Sequence, residues 1–153
     1  MNTAIRKAGS IIVLIMFCLG ITACAQSNHS GVDMSRHAKI NYIELATTNM
    51  AGTKEFFADV FGWQFVDYGP DYVSFQGAGI DGGFFSNSVA ADTDNGSVLV
   101  VLYSDELEAT QAKVEHAGGT IIRPPFEFPG GRRFHFREPG GNELAVWTEA
   151  GSG

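Results

Sequence analysis

Six side chains able to titrate, hydrogen-bond or stack fall on segments whose alternation reads as β-strand: Tyr42, Glu44, Tyr103, His135, Glu143 and Trp147. Glu44 lies between the apolar Ile43 and Leu45, a setting in which a carboxylate needs either a partner or a polar pocket. His135 has the chemistry of an acid or base near neutral pH, although a single strand histidine more often serves structure. Arg133 and Arg137 share its strand parity, so all three would face the same way. Glu44, His135 and Glu143 also supply the ligand types of a divalent-metal site, but their spacing matches no metal motif. The bland alternative for Arg133, Arg137 and Glu143 is pairing with one another at a sheet margin or facing water. Of the other histidines, His37 and His116 read as surface residues and His29 as part of a polar linker.

Positioning these groups requires strands in a fixed order. Residues 39–46 alternate with Tyr42, Glu44 and Ala46 on one face and Ile43 and Leu45 on the other. Thr48 or Asn49 is placed to cap a helix that carries Met50, Thr53, Phe57 and Val60–Phe61 inward and stops at Gly62. Strands at 63–67, 72–76 and 80–86 follow, separated by Gly69–Pro70–Asp71 and Gly77–Ala78–Gly79 turns. After a polar connection at 90–96 the order returns. It runs through a strand at 97–103, a helix capped by Ser104 with Leu107, Thr110, Val114 and Ala117 inward, and strands at 120–123, 132–137 and 142–147. Phe126 and Phe128, in a proline-rich stretch, are expected to pack into the core or to rim a site. The repeat of about 55 residues is too long for a solenoid unit. The expected fold is α+β, two βαβββ repeats forming a cupped mixed sheet. Each half has one helix for one sheet face, which leaves a concave face for a ligand, the twin half or another subunit. By parity that face collects Tyr42, Glu44, Leu99, Val101, Tyr103, Arg133, His135, Arg137, Glu143, Ala145 and Trp147.

The first 23 residues are organised differently. Arg6 and Lys7 precede a greasy run from Ile11 to Ile21, about the length of a signal-peptide core and short of the roughly 20 residues a membrane span needs. Ile21–Thr22–Ala23–Cys24 resembles the lipobox of bacterial lipoproteins. That resemblance implies that Cys24 becomes a lipid-modified first residue, and that the other cysteine, Cys18, is removed. Two or more acyl chains, at about 0.8 kcal/mol per buried methylene, make such attachment stable. Ala25, where inner-membrane retention usually shows Asp, implies an outer-membrane anchor facing the periplasm. Residues 24–36 are small and polar, as in a flexible tether, 37–149 form the expected single domain, and 150–153 a tail. Seventeen acidic and ten basic residues give a net charge of −7. Loss of Arg6 and Lys7 would leave eight basic residues and −9. Such a surface repels phosphates, which excludes nucleic acid as a partner.

Asn49–Met50, Phe56–Phe57 and Val60–Phe61–Gly62–Trp63, together with Glu138–Pro139–Gly140–Gly141–Asn142–Glu143–Leu144, resemble the first helix and the last turn of the glyoxalase, bleomycin-resistance and extradiol-dioxygenase superfamily, the vicinal oxygen chelate fold. The resemblance covers roughly residues 38–149. It implies that an enzyme of this family would place metal ligands at Tyr42, at or next to Leu99, within 83–86, and at Ala145. Leucine and alanine cannot ligate, neutral tyrosine ligates poorly, and 83–86 contains no His, Glu or Gln. The expectation is therefore no metal, no cofactor and a small organic molecule held in the cup, with Tyr42, Glu44, Tyr103, His135, Glu143 and Trp147 as candidate contacts. Two alternatives stand beside it. One is a metal-dependent lyase or dioxygenase with a relocated site. The other is an envelope protein-interaction module whose cup is filled by another chain, including a second copy in a homodimer.

Overall fold

Two four-stranded sheets, each with a helix against one face, carry the core between them. The computed structural model describes residues 38–151. The chain divides into two units, Met1–Ser35 and Arg36–Gly153, and all that follows concerns the second. The lipobox cysteine Cys24, the leader, the tether and His37 lie outside the described residues.

The first half comprises β1 (Tyr42–Thr47), α1 (Met50–Phe61), β2 (Gln64–Asp67), β3 (Tyr72–Gln76) and β4 (Asp81–Ser86). The second comprises β5 (Val100–Tyr103), α2 (Leu107–His116), β6 (Thr120–Phe128), β7 (Gly131–Arg137) and β8 (Glu143–Glu149). The strand orders β1-β4-β3-β2 and β5-β8-β7-β6 are the same pattern twice. In each half the first strand pairs in parallel with the last, and the remaining pairs are antiparallel. The parallel pairing needs a crossover, which each helix supplies.

Helix α1 starts and stops where its residues dictate. The Asn49 side chain accepts from Gly52 N at 3.1 Å, filling one of the open donors of the first turn. Gly62 ends it at φ 71°, a left-handed conformation that L side chains avoid, and its N–H returns to Ala58 O. The chain then turns so that Trp63 stacks on Phe57 with ring centroids 4.3 Å apart. Phe56, Phe57, Phe75, Phe84, Phe134 and Phe136 are all fully buried. Phe56 of α1 lies 5.7 Å from Phe136 of β7, so one aromatic core serves both halves.

The second helix departs from expectation. It begins at Leu107 after Glu106, which makes no side-chain cap. Ser104 lies too early to cap it. Its hydroxyl instead accepts from Glu106 N at 3.1 Å and meets Thr110 Oγ1 at 2.8 Å, bracing the turn before the helix. β5 is shorter than expected, beginning at Val100. β6 is longer, running through Pro124–Pro125 to Phe128. Prolines are tolerated because β6 is the edge strand of its sheet, so one side of its backbone needs no ladder partner.

The Glu138–Asn142 turn is a clamp. Glu138, 2 % exposed, accepts from Thr53 Oγ1 at 2.9 Å, Gly140 N at 2.6 Å, Asn142 N at 3.0 Å and Asn142 Nδ2 at 2.7 Å. Thr48 donates from N and Oγ1 to Gly140 O. Asn142 Oδ1 accepts from Ala91 N. One buried carboxylate, fully satisfied as burial requires, thus ties α1 and the inter-half connection to the start of β8.

Candidate functional site

Strand alternation divides each sheet as the sequence implies. Ile43 and Leu45 turn toward the helices; Tyr42 and Glu44 are exposed on the opposite face. In the second sheet Leu144, Val146, Phe134 and Phe136 are core. The opposite parity puts Glu143, Ala145 and Trp147 of β8, Arg133, His135 and Arg137 of β7, and Val101 and Tyr103 of β5 on the open face. Register then sets neighbours: His135 pairs with Ala145, Arg133 with Trp147, and Tyr103 with Trp147 on the other side.

The candidate residues form two groups rather than one. On the first sheet, Tyr72 Oη donates to Glu44 Oε1 at 2.8 Å and lies 2.7 Å from Tyr42 Oη. Because Tyr72 spends its proton on Glu44, Tyr42 is the donor to Tyr72. Its hydrogen bond with Tyr42 raises the Tyr72 pKa; burial and Glu44 add to the shift. The Tyr72 ring lies over Gly83, where any side chain would collide with the phenol. Tyr42, Tyr68, Tyr72, Ser74 and Gln76 line a shallow hollow of about 540 Å³ on this side.

On the second sheet, His135 Nδ1 lies 3.0 Å from Glu143 Oε1. The two side chains are only 10 % and 7 % exposed. Glu143 Oε2 accepts from Thr93 N at 2.8 Å and from Thr93 Oγ1 at 2.5 Å. Burial alone would raise the Glu143 pKa; the Thr93 hydroxyl, His135 and the Thr93 N–H outweigh it and leave it below the ordinary carboxylate value. An ionised carboxylate only accepts, so Nδ1 is a donor. In the singly protonated ring Nε2 is then a free acceptor. That Nε2 is buried and has no hydrogen-bond partner.

An aromatic and cationic shelf surrounds the pair. Phe126 lies 5.8 Å from the His135 ring. The guanidiniums of Arg123 and Arg133 sit 3.7 Å and 5.0 Å from the Phe126 centroid, and Arg133 is also 5.3 Å from Phe128. Phe128 leads to Trp147 at 6.1 Å, and Trp147 to Tyr103 at 5.2 Å in an edge contact. Tyr103 also donates to Asp105 at 2.8 Å. It lines a further hollow of about 400 Å³ with Ile43, Trp63, Ile80 and Val101.

These contacts correct several expectations. Glu44 does not join His135 and Glu143; it stands on the other sheet, bonded to Tyr72, and no hydrogen bond or ion pair among the described residues links the two groups. Among the described residues no group of three or more His, Cys, Asp or Glu side chains comes together as a metal-holding cluster. Arg137 is drawn off the shelf by Asp92 at 2.8 Å. Phe126 and Phe128 are half-buried on the open face rather than packed in the core. Arg123 and Thr93 enter without having been expected. Arg123 pairs with His135 and Phe126 with Arg133. Two residues of β6, Pro124 and Pro125, thus lie opposite the single Phe134 of β7, a bulge at the prolines. The bulge puts residues of opposite parity on one face, which simple alternation cannot reveal.

A sequence model of the Glyoxalase/Bleomycin resistance protein/Dioxygenase superfamily matches residues 39–146. No curated protein matches the chain in sequence. Among solved structures, a glyoxalase/bleomycin resistance protein/dioxygenase family enzyme from Burkholderia phytofirmans PsJN is 16 % identical with TM-score 0.60, over 71 % of this chain and 97 % of its own. A glyoxalase-related enzyme from Fulvimarina pelagi is 21 % identical with TM-score 0.57, over 73 % and 88 %. A glyoxalase/bleomycin resistance protein/dioxygenase from Nocardioides is 19 % identical with TM-score 0.58, over 75 % and 85 %. At such identities the likeness is one of fold.

Proposed function

Because this chain belongs to the Glyoxalase/Bleomycin resistance protein/Dioxygenase superfamily, we propose that it is a binding module that holds a small organic molecule on the open face of its second sheet, without a metal centre. The observation that carries this reading is the His135 Nε2: buried, without a partner, fixed from behind by Glu143 and Thr93, and bordered by the Phe126–Phe128–Trp147 shelf. Buried polar atoms are rarely left unsatisfied, and a few oriented polar groups among aromatic walls are the usual make-up of a ligand site. Tyr103, His135, Glu143 and Trp147 are assigned to that site. Tyr42 and Glu44 belong to the separate tyrosine relay.

The donor chemistry supports the metal-free part. Of the positions that the resemblance assigns to metal ligands, Ala145 is buried opposite His135, and Gly83 lies beneath the Tyr72 ring. Tyr42 donates to another phenol, and Leu99 has no donor atom. These residues do not fit a divalent ion, which needs several anionic or imidazole ligands converging on one point. Elemental analysis of the purified chain would contradict this part if it found about one divalent metal per molecule.

Trp147 offers a direct test of binding. Of the two tryptophans, Trp63 is 5 % exposed and stacked in the core, while Trp147 borders the shelf. A fluorescence screen of aromatic compounds should find ligands whose signal Trp147→Phe abolishes and His135→Gln weakens. Binders whose signal survives Trp147→Phe unchanged would move the site elsewhere.

The sequence also supports attachment to a membrane through Cys24, with the domain displayed in the cell envelope. No helix among the described residues is long and apolar enough to cross a membrane. Cys24→Ser should shift the protein from the membrane to the soluble fraction; an unchanged distribution would refute lipid attachment.

A further inference from the structure

The same shelf carries information about the charge of its ligand. Among the described residues four ion pairs form: Lys54–Asp67, Arg132–Glu108, Arg137–Asp92 and His135–Glu143. Arg123 and Arg133 are in none of them, in a chain with 17 acidic residues against 10 basic. Both guanidiniums sit over the Phe126 ring, and Arg133 also over Phe128. The Nε of Arg133 is buried and lacks a hydrogen-bond acceptor.

The acidic groups nearby are committed elsewhere. Glu143 is taken by His135 and Thr93. Asp92 is taken by Arg137. Glu127 pairs in register with Arg132, on the opposite face, where Arg132 reaches Glu108. Among the described residues no carboxylate therefore forms an ion pair with Arg123 or Arg133. Guanidiniums held over aromatic rings, with no carboxylate paired to them, have N–H groups to offer an anion. The rings beneath and beside them offer stacking area for a flat apolar body.

We propose that the shelf of Arg123, Phe126, Phe128, Arg133 and Trp147 binds a planar aromatic carboxylate, with the carboxylate on the two guanidiniums and the ring system stacked along Phe128 and Trp147. The inference rests on the reading of this face as the ligand site and adds the charge and shape of what it takes. The buried His135 Nε2, at the inner end of the shelf, is the independent mark of a built site.

The test is a fluorescence and calorimetric titration of the full chain with four probes: naphthoate, naphthamide, naphthylmethylamine and cyclohexanecarboxylate. Naphthoate should bind most tightly. Its amide should bind at least about tenfold more weakly, since a contact to a charged group is worth about one decade in affinity or more. The amine should be worse still, and the saturated acid should lose the stacking contribution. Arg123→Gln and Arg133→Gln should each weaken naphthoate about tenfold while leaving naphthamide nearly unchanged. Arg133→Lys, which keeps the charge and the fold but not the planar fork, should fall between. Added salt should weaken both carboxylates and leave naphthamide nearly unchanged. Equal affinity for acid and amide, with the signal still dependent on Trp147, would overturn the charge assignment while leaving the binding site standing. Failure of every probe to bind would count against both.

Discussion

Replacing Glu143 by Gln tests the construction of the site at one atom. The carboxylate accepts three hydrogen bonds: two from Thr93 and one from His135 Nδ1. The amide has one acceptor oxygen. If that oxygen keeps both Thr93 donors, the NH₂ group faces His135. The imidazole must then present Nδ1 as an acceptor and carry its proton on Nε2. The tautomer should therefore invert, turning the free acceptor of the site into a donor. Hydrogen bonds to a charged group contribute about 1.5–3 kcal/mol and neutral ones about 0.5–1.5. With the geometry preserved by the tautomer change, the net loss should be about 1–2 kcal/mol, a fall in Tm of roughly 4–8 °C for a domain of this size. Side-chain nitrogen NMR reads the tautomer, with His135→Gln assigning the resonance among the four histidines. A ring that carries its neutral-state proton on Nε2 in the parent, or on Nδ1 in Glu143→Gln, would refute the reasoning. The pH dependence provides a second check. The folded pKa of Glu143 lies below the ordinary 4.5. Its contribution is therefore present above pH 4.5 and lost as pH falls through the lower folded value. The Tm gap between parent and variant should close on that acid limb.

Other outcomes follow from the same coordinates. Gly140→Ala should destabilise by about 1–3 kcal/mol, because the new methyl would collide with the Thr47 and Thr53 hydroxyls inside a clamp that cannot expand; thermal or urea unfolding measures it. Tyr72 should ionise later than an ordinary phenol in a tyrosinate absorbance titration, since its pKa is raised above 10.0. The stability associated with that shift is present below pH 10 and lost as pH rises through the folded value, and Tyr72→Phe should remove it. Replacing Pro124–Pro125 with a single residue should restore regular alternation between Arg123 and Phe126, keep both opposite His135 and Arg133, and leave Trp147-reported binding in place; loss of that binding with the α1 core still folded, as hydrogen exchange would show, would refute this register.

Much of the scaffold was legible because it rests on local rules. Asn49 and Gly62 bound α1 as their side-chain and backbone preferences require, and the period of two along β1, β7 and β8 gives the correct inner and outer faces. Ser104 misled because a hydroxyl before a helix can brace the preceding turn as readily as cap the helix. The site was only half legible. Parity placed His135 and Glu143 on one face, but nothing in the sequence says that Thr93, in a polar connection, reaches back to hold the carboxylate. Glu44 was expected to join them, yet Tyr72, reaching from β3 across Gly83 of β4, satisfies it first. Arg123 and Phe126 were hidden because two register shifts, one between Ile121 and Arg123 and one at Pro124–Pro125, break the alternation on which such assignments depend.

The central claim, a small molecule seated on the open face of the β6–β7–β8 sheet, is tested most directly by mapping amide and side-chain NMR shifts of the chain during titration with naphthoate. The account predicts saturable changes at Arg123, Phe126, Arg133, His135 and Trp147, with the tyrosine relay of Tyr42 and Tyr72 and the helices α1 and α2 unmoved. Saturable changes confined to the tyrosine hollow or to the helices α1 and α2 would contradict it.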